Sequence, residues 1–460
     1  MVLASAYGSG QCGTVTGVSA TGSQAGRLGG RLIALTHDRL VRSIGWFCLA
    51  EAGARVSKIV TTVILARVLG PVDLGVAAIA ITVFELIRVI ANNGIGQMVI
   101  RARPEDLDAT CNTAWRANLL VCGLSALLHV VAGAVVAQIS GRPELFGMIA
   151  CLGGVYILMI PSMMPVYLLL RRSAIKSVAL ASMAHVMADN VLTFVLALNG
   201  FGAWSIVLPK LVTVPVWIIG LRMSQTWTPN RAAGFIPLMA MVRFALPVMA
   251  SELLGAMRVN LDKIIVWSIL GIEMLGIYYF AFNAGIGFSL SLTSALSNSL
   301  YPELARLAEQ PRRMLRRFDR ALVRSAAPIA IVIGIQAAMA FVYVPIVFGA
   351  RWESSVVLVA LLCVSAVTKP FFDAASQLLR ANGRPLDEVM GSTAYTAITL
   401  AVFTLALPHG LFSGIVALAG CTLLLQSGFA VWARWRVAAS IDHARSQRSP
   451  SVWLGRWTTT

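Results

Sequence analysis

LARVLGPVDLG, running from Leu65 to Gly75, decides how this chain is read. It lies between two long apolar runs and sets a Gly70-Pro71 turn signal inside an otherwise helical pattern. VWSILGIEMLG, from Val266 to Gly276, writes the same stretch again. One shift of nearly half the chain lays Leu270 over Leu69, Gly271 over Gly70, Leu275 over Leu74 and Gly276 over Gly75. It also lays Glu252 over Glu51, each on the apolar helix that leads into its turn. A match in both a turn and a charge predicts a duplicated helical bundle, two related halves. Gly70, Gly75, Gly271 and Gly276 then read as symmetric hinges, with Gly133, a lone glycine inside a span, as the neutral comparison.

Composition names the solvent. Of 460 residues, 58% are hydrophobic and only 12% charged, half the charge of a soluble domain. Apolar runs of roughly 20 residues recur, the length a helix needs to cross hydrocarbon. The alternating pattern of an outer-membrane barrel is absent. The fold class is therefore an all-α polytopic membrane protein of about twelve transmembrane helices in two six-helix bundles.

A net charge of +17 suggests nucleic acid until its placement is considered. Arginine and lysine crowd the N-terminal arm, every second junction and the tail, whereas the intervening junctions hold only Arg67, Arg142 and Arg351. That bias is the positive-inside rule; it predicts both termini in the cytoplasm and no nucleic-acid partner. The seven cysteines form no CxxC pair and accompany no histidine cluster, so neither disulfides nor a metal are expected.

The segments follow from the spans. Residues 1–42 are small and polar, then basic, and read as a disordered cytoplasmic arm or as a start placed too early. The N-terminal bundle occupies 43–221, a proline-broken basic linker 222–243, the C-terminal bundle 244–433, and a basic cytoplasmic tail 434–460. Pro161 and Pro165 predict a kink in the fourth span, Pro209 and Pro215 in the sixth. The junction RARPEDLDATCNTAWR is expected as a short amphipathic surface segment. The stretch after span eight places Arg312, Arg313, Arg316, Arg317 and Arg320 at helical spacing, which reads either as a helix against anionic headgroups or as a topology anchor.

Four stretches carry a family resemblance: LARVLGPVDLG, NNGIGQMVIR from Asn92 to Arg101, LDKIIVWSILGIEMLGIYYFAF across spans seven and eight, and SNSLYPELARL from Ser297 to Leu307. Over about residues 40–435 the chain resembles the Wzx-type polysaccharide and O-antigen flippases of the multidrug/oligosaccharidyl-lipid/polysaccharide exporter superfamily. The resemblance implies two bundles around a central cavity that opens alternately to each side. It implies a cargo of undecaprenyl-pyrophosphate-linked oligosaccharide, a place in the cell inner membrane, and neighbours among the polysaccharide polymerase and export machinery. Membrane lipids are the remaining partner, and no cofactor is expected.

Charges within spans test that reading, because each costs about 2.5–3.5 kcal/mol at the bilayer centre on insertion scales. Such residues must face protein or water. A pyrophosphate favours arginine and lysine donors, and the candidates are Arg55, Lys58, Arg88, Arg258 and Lys263. Glu51, Glu252 and Asp189 are the candidates for binding a coupling proton or sodium ion. Glu51, Arg55 and Lys58 share one face of span one; Arg258 shares a face with Asp262, and Glu252 with Lys263. The pairs Glu51–Arg55, Glu85–Arg88, Arg258–Asp262 and Lys369–Asp373 also admit a purely structural reading, and His185 reads as a helix-face partner of Asp189.

Three classes compete. The first is the lipid-linked oligosaccharide flippase. The second is a multidrug or ion-coupled exporter of the same superfamily, which would want net acidic charge around its cationic cargo; here basic residues within spans at least equal acidic ones. The third is a membrane-embedded glycan polymerase, which would need a sizeable outer loop, while every outer connection here is a few residues long. No Walker A pattern occurs, so ATP binding to this chain is not expected, nor any catalytic residue.

Overall fold

The computed structural model describes Gly53, residues 57–91 and residues 94–446. Glu51 and Arg55, with Asn92 and Asn93 of the NNGIGQMVIR stretch, lie outside the described residues. Helices make up most of the described residues, and no strand occurs among them. Apolar side chains on the helix exteriors show what surrounds them. Leu120 and Ile139 are 66% and 72% exposed, which water would penalise and lipid does not.

In chain order, α1 covers residues 57–68, α2 Pro71–Ala91, α3 Ile95–Arg101, α4 Leu107–Ser140, α5 Glu144–Arg171 and α6 Ile175–Leu198. Two short helices, α7 Trp204–Val212 and α8 Val214–Arg222, share the sixth span. Then come α9 Leu238–Ala305, α10 Pro311–Ala321, α11 Ala327–Tyr343, α12 Val356–Ala366, α13 Lys369–Ala381, α14 Pro385–Ala406 and α15 Leu411–Ser446. Ten stretches among the described residues are long and apolar enough to cross a membrane. The stretch over α9 counts as two spans, since the backbone of Gly271 is non-helical, and α1 supplies the end of the first. About twelve spans result, as the sequence predicts.

The two copies of the turn are not the same turn. Gly271 sits at φ 83°, ψ −175°, a region essentially reserved for glycine. Gly70 also separates two helices, but its φ is not positive; Pro71 starts α2 there, and Leu74 N donates to the Gly70 carbonyl at 3.1 Å. Gly75 and Gly276 are buried within helices. Gly133 is no neutral position either. A Cβ added to it would stand 3.2 Å from the Phe146 carbonyl, because α4 and α5 pack closely there.

Prolines act differently in the two spans that carry them. Pro209 and Pro215 flank a real break: α7 stops at Val212, and Thr213 turns the chain into α8. Pro161 and Pro165 interrupt no helix, and α5 continues from Glu144 to Arg171. The junction after α3 is shorter than expected. Helix α4 begins at Leu107, so most of the proposed surface segment is its first three turns.

Two compact units divide the chain at Ile264–Ile265. Within the first, the connection after α8 is tied to the start of α4. Asn112 Nδ2 donates to the carbonyls of Asn230 and Gly234 at 2.7 and 3.0 Å, and Ile236 N donates to Thr113 Oγ1 at 3.0 Å. Asn230 Nδ2 donates to Asp108 at 2.9 Å, and the Arg116 guanidinium stacks 3.7 Å over the Phe235 ring. Val248 packs against Gly94, which holds the start of α9 to the same unit.

In the second unit, α10 resolves the arginine-rich stretch. Its apolar face, Met314 and Phe318, is wholly buried among Leu300, Leu304, Leu378 and Phe429. The helix therefore sinks its apolar side into protein instead of lipid and turns Arg312, Arg313, Arg316 and Arg320 outward. Arg317 clamps Glu303 with two bonds of 2.9 and 2.7 Å, and Arg434 clamps Asp319 with two of 2.8 and 3.0 Å.

Candidate functional site

Four ion pairs lie within the described spans, and three of them join residues within one helical turn. In α2, Glu85 and Arg88 form an ion pair with both side chains about one third exposed. In α13, Lys369 pairs with Asp373 at 3.1 Å. In α9, Lys263 is buried; its ammonium donates to the Val259 carbonyl at 2.6 Å and meets Asp262 at 3.3 Å. Sequence spacing set Lys263 beside Glu252; the structure turns it to its neighbour instead.

Asp189 and Lys210 are the exception, for they pair across two helices, α6 and α7. Asp189 is buried, and its second oxygen, Oδ1, has no partner in the protein. One turn earlier on α6, His185 donates from Nδ1 to the Thr213 carbonyl at 3.0 Å, at the break between α7 and α8. The Trp217 ring stands 6.4 Å from it. His185 thus partners the broken sixth span, and Asp189 takes Lys210. Broken helices are a feature of transporter sites at membrane depth, where the freed helix ends face substrate or ions.

The remaining candidates are placed as follows. Lys58 is exposed on α1, and its carbonyl accepts from Thr62 Oγ1 at 2.8 Å. Arg258 and Glu252 are half-buried on α9. Glu51 and Arg55, the other two members of the span-one face, lie outside the described residues.

Two groups escape sequence reasoning. Arg171 reads as a cytoplasmic stop, yet its Nη1 donates to the carbonyls of Val99 and Ile100 at 3.1 and 2.9 Å and closes the end of α3. Asn118, Ser125 and His129 form a buried polar line on α4. Their spacing of seven and four residues in an apolar run was the signal available for them.

Helices alone, ten stretches of them long and apolar enough to cross a membrane among the described residues, define a polytopic helical membrane protein. The chain belongs to the family described as polysaccharide biosynthesis protein, whose sequence model matches residues 64–357. It is 25% identical over 330 residues to the succinoglycan biosynthesis transport protein ExoT of Rhizobium meliloti, covering 71% of this chain and 66% of that one. It is 22% identical over 355 residues to the lipopolysaccharide biosynthesis protein WzxC of Escherichia coli, covering 76% and 71%. The chain thus spans about two thirds of the length of these curated relatives.

Among solved structures, the fold is similar to an inward-facing multidrug resistance MATE transporter of the MOP superfamily, with a TM-score of 0.67 and 14% identity over 84% of this chain and 95% of that one. It is also similar to the lipid II flippase MurJ, inward closed, with a TM-score of 0.64 and 10% identity over 85% and 90%.

Proposed function

We propose that this protein is a flippase. It moves oligosaccharide repeat units linked to a polyprenyl pyrophosphate across the cytoplasmic membrane by alternating access, supplying the assembly of a surface polysaccharide such as exopolysaccharide, capsule or O-antigen. The observation that carries this reading is the family match over residues 64–357, joined by relatives named for succinoglycan transport and lipopolysaccharide biosynthesis. The fold likeness to MurJ, a lipid II flippase, agrees with it.

In this reading Arg55, Lys58, Arg88, Arg258 and Lys263 supply donors to the pyrophosphate, and Glu51, Glu252 and Asp189 are the groups for a coupling ion. The protein acts as a transporter and not as an enzyme, in the inner membrane, with both termini in the cytoplasm and the halves joined at 222–243. Polysaccharide polymerase and export machinery receive its product.

A deletion strain tests the function. Loss of the protein should stop surface polymer and leave lipid-linked repeat units on the cytoplasmic leaflet, where an impermeant glycosidase added outside spheroplasts does not reach them. Repeat units fully open to that glycosidase in the deletion strain would remove the flippase role. The fold likeness to a multidrug transporter favours the second reading, drug export. That reading predicts hypersensitivity to cationic drugs with surface polymer intact. Reporter fusions after Arg172, within 312–317 and at the C-terminus should all report cytoplasm.

A further inference from the structure

Residues 311–348 run on as one helical stretch, α10 into α11, across a π-helical turn at Leu322–Ala326. Met314 and Phe318 in α10, then Ala326, Ala330, Ile333 and Ala337, form one buried stripe along it. From Phe318 to Ala326 an ordinary helix drifts by about 80°, which would turn the stripe off the protein. The π turn takes up an extra residue, so the buried positions stay aligned across it. The exposed positions stay aligned with them. Arg312, Arg316 and Arg320 therefore continue, on the same side of the helix, the exposed apolar positions Ile331, Ile335 and Val342. Those apolar side chains face hydrocarbon, so the arginines stand over lipid and not over protein.

Two observations set their depth. Residues 327–348 measure about 33 Å, one crossing of the hydrocarbon layer, so α10 lies past its edge. Arg434 of α15 clamps Asp319, and Trp435, the next residue of α15, is 60% exposed. An exposed tryptophan at the end of a span marks the headgroup level. Asp319 and its neighbour Arg320 share that level; Arg324 lies one turn nearer the hydrocarbon and Arg316 one turn further out.

The charge at this level is unbalanced. Arg434 takes Asp319 and Arg317 takes Glu303, which uses up the carboxylates that face α10. Arg313 donates to the Gln310 side-chain oxygen at 2.7 Å, and Arg320 to the Arg316 carbonyl at 3.3 Å. Among the described residues no carboxylate pairs with Arg312, Arg316, Arg320 or Arg324.

We propose that Arg316, Arg320 and Arg324 bind the phosphates of anionic phospholipids in the leaflet beside α10. Guanidinium groups suit phosphate oxygens because they offer two parallel donors, and basic clusters at a span's end draw acidic lipids to it. The occupant is a lipid because the stripe runs straight into a lipid-facing surface. A topology anchor needs charge alone and does not select among headgroups that meet it after insertion. The site is separate from the residues proposed for cargo and coupling ion, and it holds whatever the protein transports.

Photocrosslinking of the full-length protein in phosphatidylcholine vesicles tests the site. The probes are trace phosphatidylglycerol and trace phosphatidylcholine carrying the same diazirine at the headgroup end of one acyl chain. Labelling is mapped by mass spectrometry on residues 320–331 and, as reference, on residues 119–139 of α4, where Leu120 and Ile139 are exposed. The ratio of phosphatidylglycerol to phosphatidylcholine labelling should be about fivefold higher on 320–331 than on the reference, what one fully engaged arginine supplies near an acidic surface. The excess should shrink as salt is raised. The triple variant Arg316→Gln, Arg320→Gln, Arg324→Gln should lose it at an unchanged melting temperature, and the corresponding triple lysine variant should keep most of it. Equal ratios on the two segments of the unaltered protein would overturn the proposal and leave the arginines a topology signal only. An excess that survives in the glutamine variant would overturn it too, placing the lipid on other residues.

Discussion

Lys210 on the kinked sixth span forms its ion pair with Asp189 on the fifth, while the second carboxylate oxygen of Asp189 finds no partner in the protein. If the pair only joins two helices, Asp189→Asn and Lys210→Met should each lower thermal stability by about 1–3 kcal/mol, discounted because the lysine side chain is one third exposed. The double variant should then regain both stability and export. A coupling role predicts otherwise: stability returns in the double variant but export does not. Melting in detergent and polymer yield in cells read the two outcomes.

The glycine turns differ, and their variants should too. Alanine at Gly271 has open space around its Cβ but an unsuitable backbone, and should cost about 1–3 kcal/mol. Alanine at Gly70 should be near neutral, since its φ is not positive and the nearest atom to an added Cβ is Asp73 Oδ2 at 4.0 Å. Valine at Gly133 should disrupt the α4–α5 contact. Melting curves of the three variants check the order.

Arg88 separates pyrophosphate binding from neutralisation. Should it serve the cargo, Arg88→Ala would abolish polymer export at normal membrane levels, and Glu85→Gln with Arg88→Gln would not restore it. Full recovery in that double variant would leave only the ion pair with Glu85.

Helix α10 should tolerate changes on one side alone. Phe318→Ala removes a fully buried ring and should cost about 3–5 kcal/mol, whereas Arg316→Ala on the exposed face should change stability little. Urea or thermal unfolding of the two variants is sufficient.

The Glu303–Arg317 clamp predicts a pH response. The hydrogen bond from Arg317 holds the Glu303 carboxyl below its usual value of 4.5. Its contribution is present above that value and is lost as pH falls through the lowered one. Glu303→Gln should flatten this acid limb in melts taken from neutral to acidic pH and leave neutral-pH behaviour nearly unchanged. An acid limb as steep as the parent's would show that other carboxylates govern it.

The number and order of spans were legible because hydrophobic length alone decides them, and the Gly271 break was legible because the turn is written twice. What spacing could not decide was which neighbour a charge would choose. Lys263 turned to Asp262 instead of Glu252, since the backbone carbonyl of Val259 and the adjacent carboxylate were both within reach of one rotamer. Two prolines broke the sixth span and two left the fourth continuous, because the surrounding packing, and not the proline, determines whether freed carbonyls can be tolerated.

The hydrogen bonds from Asn112 and Thr113 have a mechanical consequence. They stitch residues 230–236 onto α4, so the slack between α8 and α9 shrinks to residues 223–229, a leash of about 24 Å when fully drawn out. Even that leash is pinned near its start, where Arg172 donates to Gln225 at 2.6 Å. A protease that needs a loose loop of a dozen residues would find none here, and any tilt of α4 would pull directly on the chain that leads into α9.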